Sequence, residues 1–148
     1  MAKKFSFRLE PILKIKNYKA SLAKDTLNQV IATRIRKEEE INHKNGYLDN
    51  LVNQKTVSTN AMMIQAHYHH KNYVKEEIKK LEKEKFQILE IENLRRIELT
   101  EAMKEEKILE KLKEKKQAIH KFEVDKEEMN NLDEIGRNRY IKQNILGN

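Results

Sequence analysis

Residues 47–135 contain neither glycine nor proline, so neither of the two strongest helix breakers interrupts that span. Within it, Val74, Ile78, Leu81, Ile88, Leu99, Ala102 and Leu109 fit a ladder of alternating three- and four-residue steps. The mean step near 3.5 is the repeat of a coiled coil. A continuous helix from 74 to 135 measures roughly 90 Å at ~1.5 Å per residue. A helix of that length cannot bury its own apolar stripe, so it needs a partner helix, and the rest of the chain is expected to supply one.

The upstream sequence has the matching pattern. Pro11, the one proline, suits the first turn of a helix, where its missing N–H goes unused and its fixed φ helps. It therefore predicts a helix start near Glu10. From Leu9 to Leu51 an unbroken seam advances in steps of three or four through Leu13, Ala20, Leu27, Val30, Ile41 and Leu48. Lys16, Arg34, Lys37 and Lys44 stand on that seam; their stems can lie along it while the charges reach water. Ala20 and Ala23 allow close approach of a partner helix. The seam passes through Asn45 and Gly46 to Leu48, so this stretch is read as helix despite a glycine cost of ~1 kcal/mol.

The better break is residues 55–60, KTVSTN, where short polar side chains compete for backbone hydrogen bonds. Ser58, Thr59 or Asn60 can cap the next helix. The expected layout is helix 1 over about 10–56, a tip over about 57–72, helix 2 over about 73–135 with Gly136 as a stop, and a ragged tail over 136–148. The pairs Glu76/Lys80, Glu92/Arg96 and Glu40/Lys44 are spaced to support the helices at i,i+4.

Two long helices joined by a short connection pack antiparallel. A turn near residues 58–60 sets Leu27 near residue 90 and Leu9 near residue 109. The second helix then outruns the first by roughly 25 residues. A later turn near 69–72 removes most of that excess. The apolar phase also slips by one residue at Leu112 and resumes as Ile119, Phe122, Met129 and Leu132. Either this line joins Phe5 and Phe7 in a surface for another protein, or it packs on the N-terminal lead or self-associates.

Composition limits the chemistry. The chain has 148 residues, 37% of them charged and 38% apolar, with no Trp and no Cys. That lies near the composition of long helices rather than of a globular core. The lack of Cys removes disulfides and thiolate zinc and fits a reducing compartment. The basic N-terminus has no continuous apolar run of the secretory kind, and the longest apolar run, residues 61–64, is far short of the ~20 residues that span a bilayer. A soluble cytoplasmic protein is expected.

The formal charge of +7 invites an acidic partner, although Lys and Glu are interspersed throughout. Lys113, Lys115, Lys116 and Lys121 cluster, and Arg95 adjoins Arg96, but stacking aromatics are sparse there and no nucleic-acid motif appears. Specific nucleic-acid binding is not expected. Three scattered glycines cannot build a phosphate loop. Carboxylates alternating with lysines offer no catalytic pair, and no cofactor is implied. His67 and His70 share a helix face in the manner of metal ligands, but no third ligand is placed nearby, so an exposed polar tip is expected. Asp133 and Glu134 read as solvated surface or as a contact for a basic partner.

The N-terminal FSFRLEPILKIKNYK resembles the opening of the flagellar export protein FliJ family, a Phe-x-Phe-Arg-Leu motif followed by a hydrophobic, basic helix. Phe5, Phe7, Arg8, Leu9, Ile12 and Leu13 occupy its positions. The segment EKILEKLKEKKQ, with Leu109 and Leu112, and the later Asp133 and Glu134 are similar to the family's C-terminal half. The resemblance implies an all-α, antiparallel coiled-coil hairpin like the central stalk of rotary ATPases. It implies a non-enzymatic part of the flagellar type III export apparatus, at the cytoplasmic face of the inner membrane.

The partners implied are the hexameric export ATPase FliI, the export-gate protein FlhA and export chaperones. On that reading Phe5, Phe7, Arg8, Leu112, Lys115, Lys116, Ile119 and Phe122 meet the ATPase ring. Tyr47, Tyr68 and Tyr73, nearer the tip, meet the gate or pack at the tip. The alternatives are a basic helical arm that grips RNA and a structural coiled coil that dimerises through its unpaired stripe.

Overall fold

The computed structural model describes residues 3–54 and 60–147. Two helices account for nearly all of them: α1, Glu10–Asn53, and α2, Ala61–Leu146. The fold is an all-α helical hairpin, and no strand occurs among the described residues. By contacts the chain divides into two compact units, one made of Met1–Tyr18 with Met103–Asn148 and the other of Lys19–Ala102.

In the unit Lys19–Ala102, the seam buries itself where the spacing requires. Ala20, Leu27, Ile41 and Leu51 of α1 and Val74, Ile78 and Leu81 of α2 are all buried. Leu51, Val74 and Ile78 form one cluster, with Leu48 against it. Lys37 reaches Glu84 at 3.0 Å and Lys44 reaches Glu77 at 2.6 Å. Partner numbers fall as α1 numbers rise, so the helices here run antiparallel. Both pairs share a midpoint between residues 60 and 61, slightly beyond the expected turn.

The seam cations do not simply reach water as their long stems suggest. Each meets a glutamate, because the opposing helix places a carboxylate at its height. The strongest case is Arg34, whose Nε donates to Glu92 Oε2 at 2.6 Å. Glu92 is 4% exposed, and it also accepts from Arg96 Nη2 at 2.7 Å. Arg34 further pairs with Glu38 at 2.9 Å, and Glu38 with Lys85 at 3.4 Å. A buried carboxylate is tolerated because it is fully paired and hydrogen-bonded. Arg96 first and then Arg34 hold the Glu92 carboxyl below the usual carboxylate range, against the opposing effect of burial.

Of the three expected i,i+4 pairs, Glu92/Arg96 forms. Lys44 turns instead to Glu77 across the helices, and Glu76 pairs with Lys79 at 3.4 Å.

The start of α2 differs from the expected layout. Residues 61–72 are not a separate tip segment but the first turns of α2, which leaves no turn at 69–72. Asn60 caps it: the Met62 N–H donates to Asn60 Oδ1 at 3.0 Å, satisfying an otherwise orphaned donor. Ser58 and Thr59, the other two caps considered, lie outside the described residues.

In the unit made of the two terminal segments, α1 begins as Pro11 predicts. The Glu10 N–H donates to the Phe7 carbonyl at 3.0 Å, and Glu10 places an acid in the first turn, where the helix dipole favours it. Leu13 is buried. Lys16 pairs with Glu105, and Lys113 with Glu10 at 2.8 Å. The inner line of α2 continues in phase through Leu109, Lys113, His120 and Val124, all half-buried. From residue 125 to 147 every position is exposed.

Gly136 does not stop α2, which runs on to Leu146. It has helical backbone rather than the left-handed conformation of a glycine cap, so the helix only loses a little stability there.

Candidate functional site

The N-terminal lead places the most distinctive residues of the sequence against α2. Residues 3–7 carry no regular secondary structure, and Arg8 and Leu9 turn into α1. That turn brings Phe5 and Phe7 alongside α2. The Phe5 ring lies 5.6 Å from the ring of His120, tilted at 48°. Between the lead and α2 is a cleft of about 790 Å³, enough for several side chains of a partner.

Phe5, Phe7, Leu9, Leu112 and Ile119 supply the apolar part of its lining, and Lys3, Lys4, Arg8 and Lys116 the positive charge, with Glu123 the one acid. Positive charge around an apolar floor is suited to an acidic, apolar peptide segment.

Six of the eight residues assigned by resemblance to the ATPase contact therefore meet in one place: Phe5, Phe7, Arg8, Leu112, Lys116 and Ile119. Lys115 and Phe122 do not line the cleft. Both are exposed, Phe122 to 69%, because they lie on the outer side of α2. The phase slip at Leu112 thus separates two lines. Leu112 and Ile119 touch the lead's cleft, whereas Phe122, Met129 and Leu132 are uncovered within the chain, each 68–69% exposed.

Sequence reasoning missed His120, Lys3 and Lys4 as lining residues. His120 had a signal, since it stands in phase with Leu109 and Lys113 on the inner line. The two lysines had none beyond their proximity to Phe5.

The three tyrosines near the tip make separate contacts. The Tyr47 hydroxyl is hydrogen-bonded to His70 Nε2 at 2.9 Å, with the rings edge-on at 5.9 Å. Tyr68 is 62% exposed and edge-on to His69. Tyr73 is exposed, and its hydroxyl lies beside Glu77. Lys44 first, and Tyr73 after it, keep the Glu77 carboxyl below its ordinary value, while Glu77 in turn raises the Lys44 ammonium.

His67 Nε2 lies 3.2 Å from the carbonyl of Leu51, in the last turn of α1. His67 and His70 are thus both engaged in packing α1 to α2. No group of His, Cys, Asp or Glu among the described residues is placed to hold a metal. No helix among them is long and apolar enough to cross a membrane.

Comparison with curated proteins and comparison with solved structures each give no match. The family model described as Flagellar FliJ protein matches residues 5–144, from Phe5 at the cleft to the last turn of α2. On that match, which covers nearly the whole chain, the protein belongs to the flagellar FliJ family and is a component of the flagellar export apparatus.

Proposed function

We propose that this chain is a non-enzymatic coupling protein of the export machine. Its terminal unit binds the hexameric ATPase FliI, and its tip reaches the export gate FlhA. It sits at the cytoplasmic face of the inner membrane and also engages export chaperones. The observation that carries this reading is the cleft. The Phe-x-Phe-Arg motif, the most specific part of the family resemblance, is folded against α2 so that aromatic floor and cationic rim form one surface.

Leu112 and Ile119 extend that surface, and Lys115 and Phe122 stand on the adjoining outer face of α2. Tyr47, Tyr68 and Tyr73 are the gate contacts in this reading, and the exposure of Tyr68 and Tyr73 leaves them free to serve.

The test is the ATPase activity of the cognate ring with and without this protein. The expected result is stimulation by the unaltered chain. Arg8→Glu combined with Lys115→Glu and Lys116→Glu abolishes the stimulation without loss of helix content. A ring that neither binds the chain nor changes its rate in its presence refutes the proposal.

A further inference from the structure

Lys104 and Phe122 stand five full turns apart on α2, so they lie on one line along the helix. Between them Ile108, Lys111, Lys115 and Ala118 follow in steps of four and three. All six side chains are exposed, Ile108 to 67%. No acid interrupts that line between 104 and 122, and among the described residues Lys104, Lys111 and Lys115 make no ion pair. The line has the three–four spacing of a coiled-coil seam and points away from the inner line of Leu109, Lys113 and His120.

The same chemistry occurs elsewhere in this chain with its partner in place. In the unit Lys19–Ala102, lysines set between apolar seam residues of α1 are met by glutamates of the facing helix. Lys37 meets Glu84 at 3.0 Å and Lys44 meets Glu77 at 2.6 Å. A lysine-bearing apolar seam in this fold is thus complemented by a helix that carries glutamates at the same heights.

We propose that the outer face of α2 over residues 104–122 docks a third helix, supplied by another protein, whose apolar seam carries glutamates opposite Lys104, Lys111 and Lys115. This rests on the reading of the terminal unit as the partner-binding part and narrows the partner's chemistry. An anionic lipid surface is the competing occupant. The pattern favours a helix, because membrane-lying helices segregate their lysines from their apolar face, whereas here the two share one line.

The test uses the full chain and a synthetic helix of about four heptads with leucine along its seam and glutamate at the three seam positions spaced to face Lys104, Lys111 and Lys115. The expected result is saturable binding that weakens about tenfold or more in Lys111→Glu with Lys115→Glu, since like charges then face each other. A matching helix with lysine at those three positions binds that variant instead. Circular dichroism confirms that the variant is folded.

Absence of binding by the acidic helix overturns the proposal, as does binding indifferent to the charge reversal. Binding confined to vesicles containing phosphatidylserine overturns it in favour of the membrane. Ring ATPase stimulation by the unaltered chain is measured in parallel. Its absence, with the acidic helix still bound, refutes the export reading alone.

Discussion

Arg34 of α1 donates from Nε to Glu92 of α2 at 2.6 Å, onto a carboxylate that is 4% exposed. No other charged or polar side chain among the described residues is buried to that degree. A pair of this kind contributes less to net stability than to the choice of one register, because sliding either helix leaves a charge buried without its partner. One heptad of slip in one direction sets Arg34 opposite Lys85; in the other it sets Arg34 opposite Leu99.

Glu92→Ala is expected to destabilise the fold by about 2 kcal/mol, the usual range for removing one partner of a charged hydrogen bond. Replacing both members, Arg34→Leu with Glu92→Leu, recovers most of that loss, because no unpaired charge is left on the seam. Urea unfolding of the three variants, with m held constant, measures both effects.

Acid weakens this protein through three named carboxyls. Glu92, Glu77 and Glu38 are all held below their ordinary values, by Arg96 with Arg34, by Lys44, and by Arg34 respectively. Each binds its proton less tightly when folded than when unfolded. Their contribution is therefore fully present above the unfolded value of about 4.3 and is lost as pH falls through the lower folded values. The midpoint of thermal unfolding is expected to hold from neutrality to about pH 5 and then fall. Glu92→Gln flattens that fall. An unchanged slope in that variant removes Glu92 from the explanation.

The two faces of α2 should respond differently to truncation. Ile78 is buried in the cluster with Leu51 and Val74, so Ile78→Ala costs about 2–4 kcal/mol through lost burial and the cavity left behind. Phe122 is 69% exposed, and Phe122→Ala should change stability by no more than about 0.5 kcal/mol. Chemical denaturation of both variants gives the contrast.

Gly46 has helical backbone in the middle of α1, and a Cβ built there meets nothing within 4 Å. Gly46→Ala is expected to stabilise the protein by about 0.5–1 kcal/mol, since it reduces the freedom of the unfolded chain at no steric cost. A rise in the urea midpoint checks it.

The inner seam of α1 could be read from spacing alone, because every residue from Leu9 to Leu51 at three–four intervals is buried or half-buried. The partners of its cations could not, since they depend on a register that spacing along one helix does not set. The same holds for the cleft. Phe5, Phe7 and Arg8 stood out as a motif, but the side chains they meet follow from where the lead turns at Arg8 and Leu9.

Past Leu109 the sequence misleads in a specific way. Lys113 and His120 share the inner line with Val124, while Phe122, Met129 and Leu132 stand exposed. Apolar character alone therefore does not mark the buried side there. The start of α2 at Ala61 was obscured by the weak stripe of residues 61–72, and its continuation through Gly136 by a residue that tolerates helix as readily as it ends one.

The exposed run after Val124 has a thermodynamic corollary. Every position from 125 to 146 is exposed, so the coiling of this stretch depends mainly on short-range propensity, and about twenty residues is close to the margin for a lone helix in water. This terminal stretch is expected to melt early and gradually, apart from the cooperative transition of the packed helices. Amide exchange should be fast there and slow at Val74. A ligand that grips this stretch then has ordering work to do, and its affinity will fall with warming even where the hairpin itself remains intact.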